Sequence, residues 1–378
     1  MRKRPRNGSH QFFSCGTIRP GRGVLFIDSQ GLGDVVQTLP LLRAICRWSE
    51  TRWPLYVLFA SPEHYEIMRE EKLALLPIFV RGNSDGRDSR LRLWGKLAGK
   101  IDLIVSAPEI SAAKLLLLKG AVAARYAIGE ASRVAGRFLT SSVNPSWIIP
   151  WSETVDEIAA MLGLATPLLP PEIHLTLAEI KWARNVLAQA RIGSPQMILG
   201  VQCSSRVPQK CWPAENFTEL VRLMHRRFPG LCVISFGTRA ERGQAHQVHT
   251  LAGNIPWLEG AGQWSIRQSM AMLSQCSLFI SGDTGLMHIA AALGVRTVSI
   301  FGPTAASRRA PQHNGGVAVC PDTPCHPCFR GRWAPCECIQ SITSEQVFAV
   351  AEGFLSAPVS RCTFDSFVLS EPPQTASR

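Results

Sequence analysis

The segment SGDTGLMHIAAALGVRTVSIFGPT, Ser281 to Thr304, constrains the fold more than any other stretch of the chain. Within it and just before it, residues 278–280 and 297–301 read as short buried strands and residues 285–293 as a helix. Strand, helix and strand in so short a span form a βαβ unit of a parallel sheet. The turn Gly282-Asp283-Thr284-Gly285 opens the helix, whose free N–H groups and positive dipole end suit phosphate oxygens. Thr284 and His288 are four residues apart, so both can reach one ligand from one helix face. The same residues also suit a plain, well-packed unit in which Asp283 caps the helix and His288 is a satisfied core side chain.

The alternation extends over most of the chain. Strands are expected at residues 24–27, 55–59, 77–80, 101–105 and 124–128, with helices at 35–45, 62–71 and 111–119 among them. After a Pro-rich junction at 167–171 the pattern restarts, with helices at 177–189, 214–227, 239–251 and 265–273 and strands at 197–201 and 232–236. The expected class is therefore α/β, two Rossmann-like domains with parallel sheets. Its expected divisions are a basic, flexible extension (1–23), a first domain (24–168), a second domain (169–355) and a tail (356–378). Open parallel sheets bind ligands outside the C-terminal ends of their strands, so the chemistry is expected in a cleft between the two domains.

Two further motifs lie at such strand ends. In GLGDVVQTLP, Gly31 to Pro40, two glycines permit a tight turn and Asp34 falls at or beside the helix start. There it is either a helix cap or, if aimed at a substrate, a general base with Gly33 beside it. In the second half, Ser204-Ser205-Arg206 is followed by Lys210-Cys211-Trp212-Pro213. Hydroxyls and two cations there suit a diphosphate, Arg offering a planar fork and Lys a point charge, although a surface loop with incidental cations fits too. No G-x-G-x-x-G is present, which disfavours a nicotinamide-dependent dehydrogenase.

Charge narrows the partners. Lys and Arg outnumber Asp and Glu by 40 to 28, giving +12 and an expected anionic partner. The stretch from Arg81 to Arg137 alone carries 11 basic and five acidic residues. No run approaches the roughly 18 apolar residues of a membrane span. The opening Met1-Arg2-Lys3-Arg4-Pro5-Arg6 is followed by a polar, Gly-rich segment rather than an apolar one, so a basic leader, not a secretion signal, is expected. Twelve cysteines are too sparse for a disulfide scaffold and point to a reducing cytoplasm. Five of them fall between Cys320 and Cys338, where Cys325, Cys328, Cys336 and Cys338 are a candidate zinc or iron set; reduced structural thiols are the alternative.

Taken together, the GLGDVVQTLPLLRAI opening, the Lys210-Cys211-Trp212-Pro213 element and the Ser281 to Thr304 segment resemble glycosyltransferase family nine, the ADP-heptose:lipopolysaccharide heptosyltransferases. The resemblance implies a GT-B architecture of two facing Rossmann-like domains, the first binding the acceptor and the second the nucleotide sugar. It implies inverting, metal-independent transfer of heptose from ADP-heptose to a hydroxyl of the lipopolysaccharide inner core, with no cofactor required; a structural Zn or Fe at the cysteine cluster stays open from the spacing alone. By the same resemblance Asp34 is the base, and Lys210 with Ser204, Ser205 and Arg206 holds the donor diphosphate. Asp283, Thr284, Gly285 and His288 match the donor-binding D-T-G-x-x-H motif, and Glu241 lies where a nucleotide-contacting acid often sits. The implied partners are a nucleotide-diphosphate sugar and an anionic glycolipid, met at the cytoplasmic face of the inner membrane by peripheral contact, and no nucleic acid. Two alternatives stay open: a protein O-heptosyltransferase of the autotransporter type with a cysteine-bound metal, and a non-catalytic nucleotide-sugar-binding protein.

Overall fold

β1 (Gly23–Ile27), β4 (Ile101–Ser106) and β10 (Leu278–Gly282) are buried at every residue. Continuous burial without alternation is the mark of strands covered by helices on both faces of a parallel sheet. The computed structural model describes residues 18–28, 31–50, 52–79, 93–146, 149–190, 192, 195–311, 315–322 and 338–356. Most of the basic leader, the tail, residues 81–92 of the basic stretch, and Cys325, Cys328 and Cys336 lie outside them.

The chain divides into two compact units, Met1–Pro171 and Glu172–Arg378. The first adds β2 (Leu55–Phe59), β3 (Leu76–Phe79), β5 (Tyr126–Glu130) and β6 (Ser141–Val143) to β1 and β4, all parallel, in the order β3-β2-β1-β4-β5-β6. Its helices are α1 (Leu32–Ser49), α2 (Pro62–Met68), α3 (Ala112–Val122), α4 (Arg133–Gly136) and α5 (Trp151–Met161). Leu25, Ile27, Ile101, Ile104, Leu115 and Ala127 join in one core on a face of this sheet.

The second unit repeats the plan. β7 (Met197–Gln202), β8 (Leu231–Ser235), β9 (Trp257–Glu259), β10, β11 (Thr297–Ile300) and β12 (Gly316–Val319) are parallel in the order β12-β11-β10-β7-β8-β9. Counted from the first strand of each unit, the two orders are the same. In both, the strand order reverses between the unit's first and fourth strands, at β1/β4 and β7/β10. Loops leaving the C-terminal ends on either side of such a reversal turn to opposite faces and open a ligand crevice. The helices here are α6 (Leu177–Gln189), α7 (Ala214–Arg227), α8 (Arg242–Ala252), α9 (Ile266–Leu273), α10 (Gly285–Ala292), α11 (Ala306–Arg309) and α12 (Ser344–Ser356). No helix of the described residues is long and apolar enough to cross a membrane.

Polar contacts lock this unit at defined points. Thr176 and Glu179 form a reciprocal capping box at the start of α6. Glu179 also takes a two-pronged bond from Arg267 of α9, with Nε–Oε1 2.7 Å and Nη2–Oε2 2.6 Å. Trp212, 1% exposed, packs edge-on against Phe217 and donates its indole N–H to the Ile342 carbonyl at 2.9 Å.

Several boundaries differ from expectation. α1 starts at Leu32, so Gly33 and Asp34 belong to the helix rather than to the turn before it. β5 begins at Tyr126, because α3 runs on to Val122 and Ala123 closes it in a left-handed conformation. β6, β9, β12, α4, α5 and α11 have no counterpart among the elements expected from the sequence. Three of them are edge or near-edge strands of three or four residues, too short to show a period.

Candidate active site

At the β7/β10 reversal, the loop after β7 carries the cations and the turn after β10 carries the acid. Two features bring them together. The Trp212 anchor pins the end of the loop to the core, and the Cys211 sulfur accepts the Ser205 N–H at 3.3 Å, drawing the loop back on itself. Gly282 does the rest: a β-carbon there would lie 3.0 Å from the Lys210 carbonyl, so glycine lets the lysine backbone approach the strand end without displacement.

Lys210 Nζ then meets Asp283 Oδ2 at 2.5 Å, and the Thr304 hydroxyl donates to the same oxygen at 2.8 Å. Burial by itself would raise the Asp283 carboxyl. The Lys210 ammonium, Arg309 and Thr304 together outweigh it and hold the group below the ordinary carboxylate value. Asp283 is therefore an anion fixed between cations, not a helix cap. The capping position belongs to Thr284, whose extended backbone precedes α10. Its hydroxyl does not cap either but donates to Gln202 Oε1 at 2.6 Å. The first-turn amides of α10 thus receive no cap from Thr284, the condition in which a helix start accepts an anion.

A second polar line runs along the same strand ends. Gln202 Nε2 donates to Glu241 Oε1 at 3.2 Å, and Glu241 Oε2 accepts the Thr238 N–H at 2.6 Å. Glu241, buried, is thereby joined through Gln202 to Thr284. His288, also buried, lies one turn into α10. Ser204 and Ser205 are half-buried and Arg206 is exposed; Ser205 Oγ accepts the Val207 N–H at 3.3 Å and so shapes the loop. Gln202, Thr304 and Arg309 were missed in the sequence, since a lone Gln at a strand end, the threonine closing a Gly-Pro-Thr turn and an arginine on a one-turn helix carry no pattern of their own.

In the first unit the matching reversal holds Asp34. It is the third residue of α1, Gly31 occupies the cap, and the Asp34 carboxylate folds back over that glycine. A β-carbon at Gly31 would lie 2.8 Å from Asp34 Oδ2, so the first glycine of the motif serves the placement of the acid. Gly33 is buried and Asp34 half-buried. Thr38, one turn on, donates toward Asp28 at the end of β1, at 3.2 Å from Oδ1. Glu130 ends β5, buried, and accepts the Glu109 N–H at 2.6 Å. Lys114 stands in the first turn of α3, where burial lowers the pKa of its ammonium. Asp28, Glu130 and Lys114 are additional polar groups at this end of the sheet that carried no sequence motif.

One cation of the basic stretch serves the fold. Arg125 and Arg19 both bind Asp102, a fully buried residue near the N-terminal end of β4. Burial would raise the Asp102 carboxyl, but the Arg125 and Arg19 guanidiniums hold it far below the usual range. Arg125 is thus a structural cation on the edge of the sheet opposite the ligand-binding ends. Of the four candidate metal cysteines only Cys338 is described, and it is buried. Elsewhere burial pushes the Cys232 and Cys320 thiols up to about 11, the behaviour of inert packing thiols.

The model of Glycosyltransferase family 9 (heptosyltransferase) matches residues 90–335. Lipopolysaccharide heptosyltransferase 1 of Pseudomonas aeruginosa is 27% identical over 329 residues, which are 81% of this chain and 86% of that protein. Among solved structures, a family 9 glycosyl transferase from Veillonella parvula superposes with a TM-score of 0.72 at 19% identity, covering 89% of this chain and 98% of that one. The Escherichia coli ADP-heptose lps heptosyltransferase II gives 0.66 at 18% identity, with 88% and 98% covered.

Proposed function

Starting from glycosyltransferase family 9, the heptosyltransferase family to which this chain belongs, we propose that it transfers heptose from ADP-heptose to a hydroxyl of the lipopolysaccharide inner core with inversion at the anomeric carbon. The fold is GT-B, two Rossmann-like units in one chain, and the enzyme is a glycosyltransferase. The choice of acceptor is supported by the similarity to the Pseudomonas lipopolysaccharide heptosyltransferase, and the choice of donor by the similarity to the Escherichia coli ADP-heptose enzyme.

In this reading the second unit holds the donor. A lysine ammonium has three N–H donors, so Lys210, oriented by one bond to Asp283, keeps two for the diphosphate. The α10 amides from Gly285 onward, with Ser204, Ser205 and Arg206 of the opposite loop, take further phosphate oxygens, while His288 and Glu241 line the donor site. Asp283 acts through Lys210 and is a positioning residue. The first unit supplies the base: the Asp34 carboxylate takes the proton of the acceptor hydroxyl, whose oxygen bonds to the anomeric carbon. The bond from that carbon to the diphosphate breaks, and its electron pair passes to the β-phosphate oxygen. Fixed donors aimed where that charge develops stabilise the transition state more than the bound sugar. Attack opposite the leaving group inverts the centre. The acceptor is an anionic glycolipid, and the enzyme meets it at the cytoplasmic face of the inner membrane.

The observation that carries the reading is the Lys210–Asp283 pair beside a helix start that Thr284 leaves uncapped, at the reversal point of the second sheet. A thermal-shift panel of ADP-, GDP- and UDP-sugars tests it. A ligand at 100 Kd stabilises by about 2.7 kcal/mol, and ADP-heptose is expected to give that shift alone among the sugars. A larger shift with a GDP- or UDP-sugar rejects the donor assignment, and no shift with any of them rejects the site.

A further inference from the structure

We propose that His246, His249 and Glu259 form a binding site for one divalent transition-metal ion, Zn2+ by preference, on the face of the second unit where α8 meets the edge strand β9. The inference is independent of the sugar-transfer reading. His246 and His249 are three residues apart on α8, so both imidazoles leave the same helix face. They converge on one carboxylate oxygen of Glu259, the last residue of β9, with Nδ1–Oε1 distances of 2.6 Å from His246 and 2.9 Å from His249. One ligand atom from each residue lies within 4.8 Å of the other two.

The surroundings fix the ligands before any ion arrives. The His249 ring lies flat on Trp257, 5.0 Å between centroids at 11°, and Trp257 in turn points its indole N–H at Ser235 Oγ on β8, 3.4 Å away. Glu259 is held in register opposite Ser235 by the strand ladder. The site is also open: the His246 side chain is 65% exposed, against 32% for His249 and 25% for Glu259.

Each imidazole nitrogen that touches the carboxylate requires a proton between the two atoms. A divalent ion takes the place of those protons: it sheds coordinated waters as two N–metal bonds and one O–metal bond form, and each ring keeps one proton on Nε2, a neutral ring by changing tautomer and a protonated ring by releasing its Nδ1 proton to solvent. Imidazole and carboxylate together suit Zn2+, Co2+ or Ni2+ better than Mg2+ or Ca2+, which prefer oxygen alone. Three protein ligands leave a coordination position for water, as in an open rather than a closed zinc site.

The test is a Co2+ titration of the full-length, untagged protein with its thiols reduced, after stripping with a chelator. The wild type is expected to take up one equivalent with visible d–d absorption that is absent from the His246→Ala/His249→Ala variant. Any sulfur-to-cobalt charge-transfer band from the cysteines is expected to be the same in both. His246→Gln, a change at the most exposed of the three positions, is expected to weaken this equivalent at least tenfold and to leave the melting temperature in chelator unchanged. Equal uptake and equal visible spectra in the wild type and the double variant, or an unchanged affinity in His246→Gln, would overturn the proposal.

Discussion

Replacing Lys210 by methionine separates what the lysine does for the fold from what it does for the donor. The side chain is 22% exposed and its partner Asp283 8%, so the pair is mostly withdrawn from water. Removing one partner of a buried pair costs about 3–5 kcal/mol, largely because the other charge is left uncompensated. Thr304 still donates to Asp283 and Arg309 still acts on it, which places Lys210→Met near the lower end, about 3 kcal/mol. For a unit of this size each kcal/mol moves the midpoint by about 2–4 °C, so a fall of about 6–12 °C is expected in calorimetry. Adding Asp283→Asn removes the stranded charge, and the double variant is expected to recover about half of that loss. Donor turnover is expected to stay at least about a hundredfold down in both variants, the scale seen when a donor at the developing charge is removed. If the two substitutions add to within about 0.5 kcal/mol, the pair is not a coupled unit and the account of the site is wrong. If the double variant recovers turnover along with stability, Lys210 serves the fold and not the diphosphate.

Gly282→Ala places a methyl group 3.0 Å from the Lys210 carbonyl, and the backbone must yield; a loss of about 1–3 kcal/mol is expected, with donor affinity in isothermal titration weakened at least tenfold. Unchanged donor affinity would show that the lysine loop is not held by this approach. Glu179→Gln tests the Arg267 contact by its pH dependence. Arg267 first, then the Thr176 N–H and hydroxyl, hold the Glu179 carboxyl down to about 2 from 4.5 against burial, and at ~1.36 kcal/mol per pKa unit these contacts together stabilise by about 3 kcal/mol. A depressed folded-state value means that the contribution is complete above pH 4.5 and lost as pH falls through about 2. The stability gap between wild type and Glu179→Gln, from urea unfolding, is therefore expected to narrow across that window; a constant gap would contradict it.

The central strands and long helices were legible because their signals are strong. Residues 177–189 and 214–227 were bounded to the residue, the first following the Pro-rich junction and the second led by Pro213. The second-unit motif residues were legible as a set, but not their partners. Nothing in the local sequence of Gln202, Thr304 or Arg309 announces that they meet Thr284 or Asp283, because those contacts exist only once β7, β10 and β11 lie side by side. Asp283 itself read also as a helix cap, and the structure decides against it by placing Lys210 and Thr304 on its carboxylate and Thr284 in the capping position. Arg125 shows the same limit from the other side: its charge was plain, while its partner Asp102 lies 23 residues away on β4. His246 and His249 fell in a segment read simply as a helix, and the Glu259 that completes the cluster sits on a three-residue strand without a periodic signal.

The most direct measurement is single-turnover transfer from ADP-heptose to heptose-deficient inner-core lipopolysaccharide, with ADP and glycosylated acceptor quantified together for the wild type and for Asp34→Asn. The account predicts equal amounts of ADP and product from the wild type. For Asp34→Asn it predicts undiminished donor binding and a transfer rate lower by at least about a hundredfold, the scale of general base catalysis. Wild-type transfer rates from Asp34→Asn, or ADP release by the wild type with no sugar gained by the acceptor, would contradict it.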